Sequence, residues 1–290
     1  TKDKKAVTTT YRYKIAYNKE LYDTLREIMY HTYRIKNLAT TMAYDWQQFS
    51  FSYNTRFGEY PKERDLMGVR LAADISRQIK KYEEYSFMSV SILEESVKEA
   101  VEYLKRDNVK KELLRGDRVL QTYRRGGSFP IRAQKLNRLQ KIKTNEYVVK
   151  MSLLSMEAAK EKGLKSGQLD ATLLCSRKAN APNNIALQRL VDAEDGFKMS
   201  DSKITYCDRK RAFYLMMAIT QPRQEVIADE SKVLGVDLGI AVPATIATNF
   251  DGYYREFIGS AQEIRDFERQ VEDRRRRLSR SRKWAGSGNT

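Results

Sequence analysis

The sequence predicts a mixed α and β chain: a small β-barrel interrupted by a helical region, followed by a separate unit that opens with strands and closes with a helix. Three observations carry this reading. The hydrophobic period switches from two to three-and-four near Lys19, then returns to short strand-like runs after Gly116. At roughly 150 residues per domain, 290 residues fit about two domains. Apolar residues make up 41% of the chain, enough to bury a core.

The chain opens with a basic, Thr-rich tail. From Tyr11 to Tyr17 long apolar or aromatic residues alternate with basic ones, which predicts a strand with Tyr11, Tyr13, Ile15 and Tyr17 on one face. From Lys19 the inward positions Leu21, Leu25, Ile28, Met29, Thr32, Ile35 and Leu38 recur at helical spacing, and the pattern runs through Trp46 to about Tyr53. Gly58 and Pro61 break it. Helical blocks follow over Glu63–Tyr82 and Ser89–Asn108, so residues 19–114 read as a helical insertion. Strand-like runs then come at Arg118–Arg124, Ser128–Ile131, Tyr147–Leu154 and Ala171–Ser176, with a helix over Asn184–Ala193. A hairpin pairs Lys203–Cys207 with Ala212–Thr220 around the polar turn Asp208–Arg211. These short strands suggest a small barrel over 115–222, to which the first strand would belong. Gln221-Pro222 opens a linker. From Lys232 the pattern is strand, tight turn, strand, Asp251-Gly252 turn, strand, and a basic amphipathic helix over about Ser260–Lys283.

Composition narrows the function. There are 54 Lys and Arg against 38 Asp and Glu, a net charge of +16, which speaks to partners rather than to fold and makes nucleic acid the first candidate. No run of about 18 apolar residues exists to span a membrane. The N-terminus lacks an apolar signal core, so a cytoplasmic protein is expected. The two cysteines, Cys175 and Cys207, give neither a disulfide framework nor a CxxC pair. The one histidine, His31, excludes HExxH-type zinc sites and argues against a Ser-His-Asp triad; it reads as a packed or surface residue.

The most informative segment is Val233–Ile240, which puts one carboxylate, Asp237, inside an apolar strand. Burying an unpaired carboxylate costs several kcal/mol unless it is hydrogen-bonded, paired or metal-bound. Gly235 and Gly239 flank it and leave its face uncrowded. A strand aspartate in such an opening suits a ribonuclease H-like site, where Mg²⁺ held by carboxylates drives phosphodiester cleavage. Two alternatives stay open: a structural strand-end aspartate, and the related opening of sugar-kinase and chaperone ATPases. The latter usually continues with a Ser or Thr pair, whereas Ala241, Val242 and Pro243 follow here.

Two basic regions point to a polyanion. From Arg274 to Trp284 there are seven basic residues and no acidic one, with Arg274, Arg275, Arg276, Arg277 and Arg280 as candidate contacts, and with Phe267, Val271 and Leu278 as an apolar stripe. Between Arg115 and Lys150 the candidates are Arg118, Arg124, Arg125, Arg132, Lys135, Arg138, Lys141 and Lys143, interleaved with Tyr123, Phe129 and Tyr147. Aromatics among Arg and Lys suit base stacking with phosphate contact.

The segment GVDLGI, the DG turn and the helix FERQVEDRRRRLSR resemble the first nuclease motif of RNA-guided nucleases, which include transposon-encoded TnpB and the miniature type V-F CRISPR effectors. The stretches FGEYPKERDLMG (57–68) and LLRGDRVLQTYRRGGSFPI (113–131) are similar to the miniature effectors in particular. The resemblance implies an oligonucleotide-binding-type wedge barrel (first strand within 1–18, remainder 115–222) split by a helical recognition region (19–114). The start of a RuvC nuclease domain (223–290), related to ribonuclease H, would follow. It further implies an asymmetric homodimer on one guide RNA, target DNA with a T-rich adjacent motif, antiviral defence in a prokaryotic cytoplasm, and Mg²⁺-dependent cutting with Asp237 as the first catalytic carboxylate. The family's later Glu and Asp, and its zinc ribbon with Zn²⁺, have no counterpart here. The chain is therefore expected to be a fragment, inactive alone. A non-catalytic guide-RNA or DNA-binding protein is the alternative, and an ATP-binding kinase-like protein a more distant one.

Overall fold

A computed structural model describes residues 6–178, 180–223, 229–239, 241–250, 252 and 254–284, with side chains described up to 280. The chain is mixed α and β and divides into two compact units, Thr1–Arg223 and Gln224–Thr290.

The first unit is a seven-stranded antiparallel sheet packed against helices. Its strands are β1 (Ala6–Ile15), β2 (Phe129–Ile131), β3 (Leu136–Lys143), β4 (Glu146–Ser152), β5 (Gln168–Leu174), β6 (Lys198–Cys207) and β7 (Ala212–Pro222), in spatial order β2-β6-β7-β1-β5-β4-β3. Its helices are α1 (Lys19–Phe57), α2 (Glu63–Met67), α3 (Leu71–Ile79), α4 (Val90–Leu104), α5 (Asp107–Arg115), α6 (Met156–Glu161) and α7 (Pro182–Val191).

β1 sits mid-sheet, pairing with β7 from Ala6↔Pro222 to Lys14↔Tyr214 and with β5 at Lys14↔Leu174 and Ile15↔Leu173. The first strand thus does join the later ones, and the helices over 19–115 are inserted in the chain between β1 and β2, two strands of the same sheet. The expected barrel is not closed. The edge strands β2 and β3 are consecutive in the chain, yet no ladder joins them among the described residues.

α1 starts at Asn18, whose side chain accepts from the Leu21 amide at 2.9 Å, and ends at Gly58, whose φ of 78° suits a residue without a Cβ. Its buried stripe of Leu21, Leu25, Ile28, Ile35, Ala39 and Ala43 shares one continuous core with Ile92, Val97, Ala100, Val101 and Leu104 of α4 and with Tyr13, Ile15, Val149 and Leu215 of the sheet.

Several expectations are corrected. Tyr17 lies beyond β1 and is 73% exposed, while part of the expected tail, Ala6–Thr10, is strand. Gly68, with φ 69°, splits the block Glu63–Tyr82 into α2 and α3. Arg118–Arg124 is not a strand: no ladder among the described residues pairs it, and side chains hold it instead. The periodicity does not signal β3 or α6; β3 reads LNRLQKIK, buried at Leu136 alone, and so carries no clean alternation.

The second unit is a small antiparallel sheet, ordered β10-β9-β8, of β8 (Leu234–Asp237), β9 (Ala244–Thr248) and β10 (Arg255–Ile258), followed by α8 (Ala261–Trp284). Asp251 of the expected Asp-Gly turn lies outside the described residues; Gly252 has the left-handed φ of 73° that a tight turn needs. Ser260 and Glu263 form a capping box at α8: the Ser260 amide donates to Glu263 Oε2 at 2.8 Å, and the Glu263 amide donates to Ser260 Oγ at 3.3 Å. Among the described residues no helix is long and apolar enough to cross a membrane.

Candidate nucleic-acid interface

A cleft of about 670 Å³ opens in the first unit between α1, α4 and the segment 123–128. Five basic side chains line it, Lys36, Arg106, Arg124, Arg125 and Lys203, against the acids Glu99 and Glu102, with Tyr33, Tyr103 and Tyr123 between them. The segment is fixed by Asn37, whose amide grips the main chain of Tyr123 from both sides: Nδ2 donates to its carbonyl at 3.0 Å, and Oδ1 accepts from its N–H at 2.7 Å. This pairing satisfies a backbone that has no strand partner.

Lys36 is the deepest charge, 5% exposed on the buried stripe of α1. Its Nζ donates to Glu99 Oε2 at 2.7 Å and to the Ser128 carbonyl at 3.2 Å, and sits 5.5 Å from the Tyr123 ring centre. The other Glu99 oxygen pairs with Lys203 at 2.7 Å. Burial alone would push Glu99 up, but hydrogen bonds from Lys203 and Lys36 outweigh it and hold the carboxyl below the usual carboxylate range. At the rim, Arg106 lies 5.5 Å from the Tyr103 ring centre and Arg125 lies 5.1 Å from that of Tyr30. Cations stacked beside aromatic faces, with room for a chain between them, suit a phosphate backbone and unstacked bases.

The residues of the expected basic block are not all gathered in this cleft. Only Arg124 and Arg125 of it line the cleft. Arg118 is held by Glu112 at 2.5 Å and by the Tyr103 hydroxyl at 2.8 Å. Arg132 is tied to Glu95 at 2.6 Å and to Glu94 at 3.7 Å, anchoring its loop to α4. Lys135 lies half-buried in a 3-10 turn, Ala133–Lys135. Arg138, Lys141 and Lys143 lie along edge strand β3, Lys141 donating to Gln188 at 2.8 Å and Lys143 facing Glu146 at 3.8 Å. Exposed lysines on an edge strand also block pairing with another chain. Phe129 and Tyr147, expected as stacking residues, are 0% and 1% exposed core side chains.

In the second unit Asp237 ends β8 and is exposed, not buried as the apolar sequence around it implied, because no layer covers these short strands within the unit. Its register partner is Thr245, itself opposite Phe257, so these three share one face. Glu256 stands in the neighbouring row with Val236 and Ile246, on the opposite face. Glu263 serves the cap of α8, and Asp266 accepts from Gln262 at 3.0 Å and faces Arg269 at 3.5 Å. Among the described residues no three acidic, His or Cys side chains are placed to hold a metal ion. Asp237 therefore offers one ligand, and these residues do not complete a Mg²⁺ site. Gly239 has a backbone reason as well: a Cβ there would meet the Val242 carbonyl at 3.0 Å.

On α8, Arg276 pairs with Glu272 at 2.8 Å. Arg274 and Arg277 line a shallow groove of about 330 Å³ with Phe267 and Val271; Arg275 and Arg280 are exposed. The apolar stripe is not covered within this unit, since Phe267 and Leu278 are each 67% exposed. The expected anchor Trp284 has its side chain outside the described residues.

No family model matches the chain. It is 30% identical over 268 residues to the CRISPR-associated endodeoxyribonuclease Cas12f1 of Sulfoacidibacillus thermotolerans, across 92% of this chain and 60% of that protein. The chain is a homologue of Cas12f1. The resemblance drawn from the motifs to the miniature type V-F CRISPR nucleases thus holds. Two solved structures share its fold. A cryo-EM Cas12f1–sgRNA–target DNA complex matches with a TM-score of 0.62 at 14% identity, covering 95% of this chain and 57% of the other. A CRISPR-Cas12f ternary complex matches with a TM-score of 0.52 at 17% identity, covering 94% and 55%. The chain therefore spans somewhat more than half the length of these Cas12f proteins.

Against the Cas12f1 kinship, the cleft residues that sequence reasoning missed are Lys36, Asn37, Glu99, Arg106 and Lys203. One signal was present: Lys36 falls four residues after Thr32 and four before Thr40, on the inward face of α1, where a charge needs a partner. Glu99 and Lys203 carry no such mark, because only the packing of α4 on the sheet brings them to that charge.

Proposed function

We propose that this chain is the guide-RNA- and target-DNA-binding part of a miniature type V-F RNA-guided endonuclease, with the cleft between α1, α4 and 123–128 gripping nucleic-acid backbone. The observation that carries the reading is the relationship to a CRISPR-associated endodeoxyribonuclease along nearly the whole chain. The cleft supports it chemically, with Arg106, Arg124 and Arg125 beside three tyrosines. Residues 19–114 are the recognition region, 1–18 and 115–222 the wedge, and 223–290 the start of the RuvC domain. Asp237 is one catalytic carboxylate of a Mg²⁺ site whose other ligands lie beyond the described residues. Any Zn²⁺ belongs to a region beyond this chain's sequence. A T-rich adjacent motif and a second copy of the chain belong to the same proposal. An aromatic ladder along α1 supports the second copy: Trp46, Phe49, Tyr53 and Phe57 have successive ring centres 5.3, 5.9 and 4.5 Å apart, and Phe49 and Phe57 are exposed.

The test uses the complete protein loaded with guide RNA. Asp237→Ala is expected to abolish DNA cutting and leave RNA binding intact, whereas Arg124→Ala with Arg125→Ala is expected to weaken RNA binding and flatten its salt dependence by about 1.4 log units per log unit of salt. Retained cutting in the first variant would remove Asp237 from the active site and favour a non-catalytic binding protein. An unchanged salt slope in the second would remove the cleft from the interface.

A further inference from the structure

The cleft holds a charge arrangement that a simple phosphate-binding groove would not need. Glu99 lies between two lysines and gives one oxygen to each, Lys36 at 2.7 Å and Lys203 at 2.7 Å. The three residues come from three elements: Lys36 from α1, Glu99 from α4 and Lys203 from β6. The two lysines differ in freedom. The Lys36 side chain is 7% exposed and that of Lys203 is 53% exposed. An exposed ion pair by itself is weak. A buried cation is different, because removing its partner leaves an uncompensated charge away from water, at a cost of about 3–5 kcal/mol. Glu99 is therefore held at Lys36, and its second oxygen stays beside Lys203, where it competes with any phosphate for that ammonium.

We propose that Glu99 is a built-in electrostatic brake on the cleft: pinned by buried Lys36, it competes with RNA phosphate for the Lys203 ammonium. This rests on the nucleic-acid reading of the cleft and adds its regulation. Backbone phosphates are left to Arg106, Arg124 and Arg125, while Glu99 and Glu102 repel them from the floor. Sequence-independent binding grows with every cation offered to phosphate, so a masked lysine lowers the cleft's general hold on RNA without removing an anchor of the fold.

The test measures binding of a labelled short RNA of mixed sequence to the complete chain as a function of salt. Glu99→Gln keeps the shape and removes the charge. It is expected to tighten binding roughly three- to tenfold at low salt, and to steepen the slope by about 0.7, the value for neutralising one more single-strand phosphate. Lys203→Ala alone is expected to leave the slope unchanged, and Lys203→Ala added to Glu99→Gln is expected to return it to the unmodified value. Lys36→Met with Glu99→Gln removes the buried charge together with its partner, so it keeps the test available if the single variant unfolds; it too is expected to steepen the slope. Unchanged or weaker RNA binding in the folded Glu99 variants would overturn the brake. That result differs from failure of the cleft reading itself, in which Arg124→Ala with Arg125→Ala would leave RNA binding unaltered.

Discussion

His31 shows how one residue's surroundings set its chemistry. Its ring is boxed by Tyr30, Tyr85 and Phe87, with centroids 5.1, 5.7 and 5.1 Å away, and its Nδ1 is buried with no hydrogen-bond partner. Burial, and then the nearby Arg34 guanidinium, hold its pKa below the ordinary 6.5, with Glu84 and Glu27 opposing. The folded protein thus binds this proton less readily than the unfolded chain. The neutral ring's contribution to stability is fully present above the ordinary value and is lost as pH falls through and below it toward the folded pKa. His31→Phe keeps an aromatic in the box and removes the buried polar atom. Its melting temperature is expected to fall less than that of the unmodified protein between pH 7.5 and pH 5.5, as read by thermal melts across that range. Equal pH dependence would show that the imidazole binds its proton equally well in the folded and unfolded chain. The sequence marked His31 as a packed or surface residue; only the fold supplies the box, because Tyr85 and Phe87 reach it from beyond α3.

Helices were legible at the element scale, and strands only in part. α1 and α4 bury one stripe each, so their period is written in the residues. β7 and β4 read as strands because their alternating or continuous apolar residues meet the core. The edge strand β3 was missed because an edge beside solvent tolerates lysines that erase the alternation. The opposite error befell Arg118–Arg124, whose Val, Leu and Tyr mimic a strand while Asn37 satisfies the backbone of Tyr123. α8 was legible from its basic run and its apolar stripe, while its capping box is read from the structure. What that run does is testable: replacing Arg274, Arg275, Arg276 and Arg277 by Ala is expected to weaken nucleic-acid binding and to lower the salt slope by about 0.7 for each phosphate that the helix no longer neutralises. An unchanged slope would make the helix a solvated face.

Across the whole molecule, the two units differ in how they are stabilised. The first has a continuous core that joins helices and sheet, closed by the long β1–β7 ladder between its two ends. The second leaves Leu234, Val236, Leu238, Phe257 and Phe267 exposed within itself. Residues 6–223 are accordingly expected to fold alone with one cooperative denaturant transition, and removing 6–10 to lower the midpoint of that transition, since those residues pair with Ala218–Pro222. A midpoint unmoved by the truncation would show that the ladder beyond Tyr11 adds nothing.

By itself the sequence determined the switch between helical and strand periods, the strong positive charge, and the motif residues around Asp237, since each is a property of neighbours along the chain. The motif's resemblance pointed to the family, which the relationship to Cas12f1 bears out. Only the tertiary structure decided that the sheet is open, that Asp237 shares its row with Thr245 and Phe257 rather than with a second carboxylate, and that the cations lining the cleft are Lys36, Arg106, Arg124, Arg125 and Lys203 rather than the whole basic block. The reason is that a charge acquires its role from what it faces. Lys36 and Lys203, 167 residues apart in the chain, meet through Glu99, and no local pattern records that encounter.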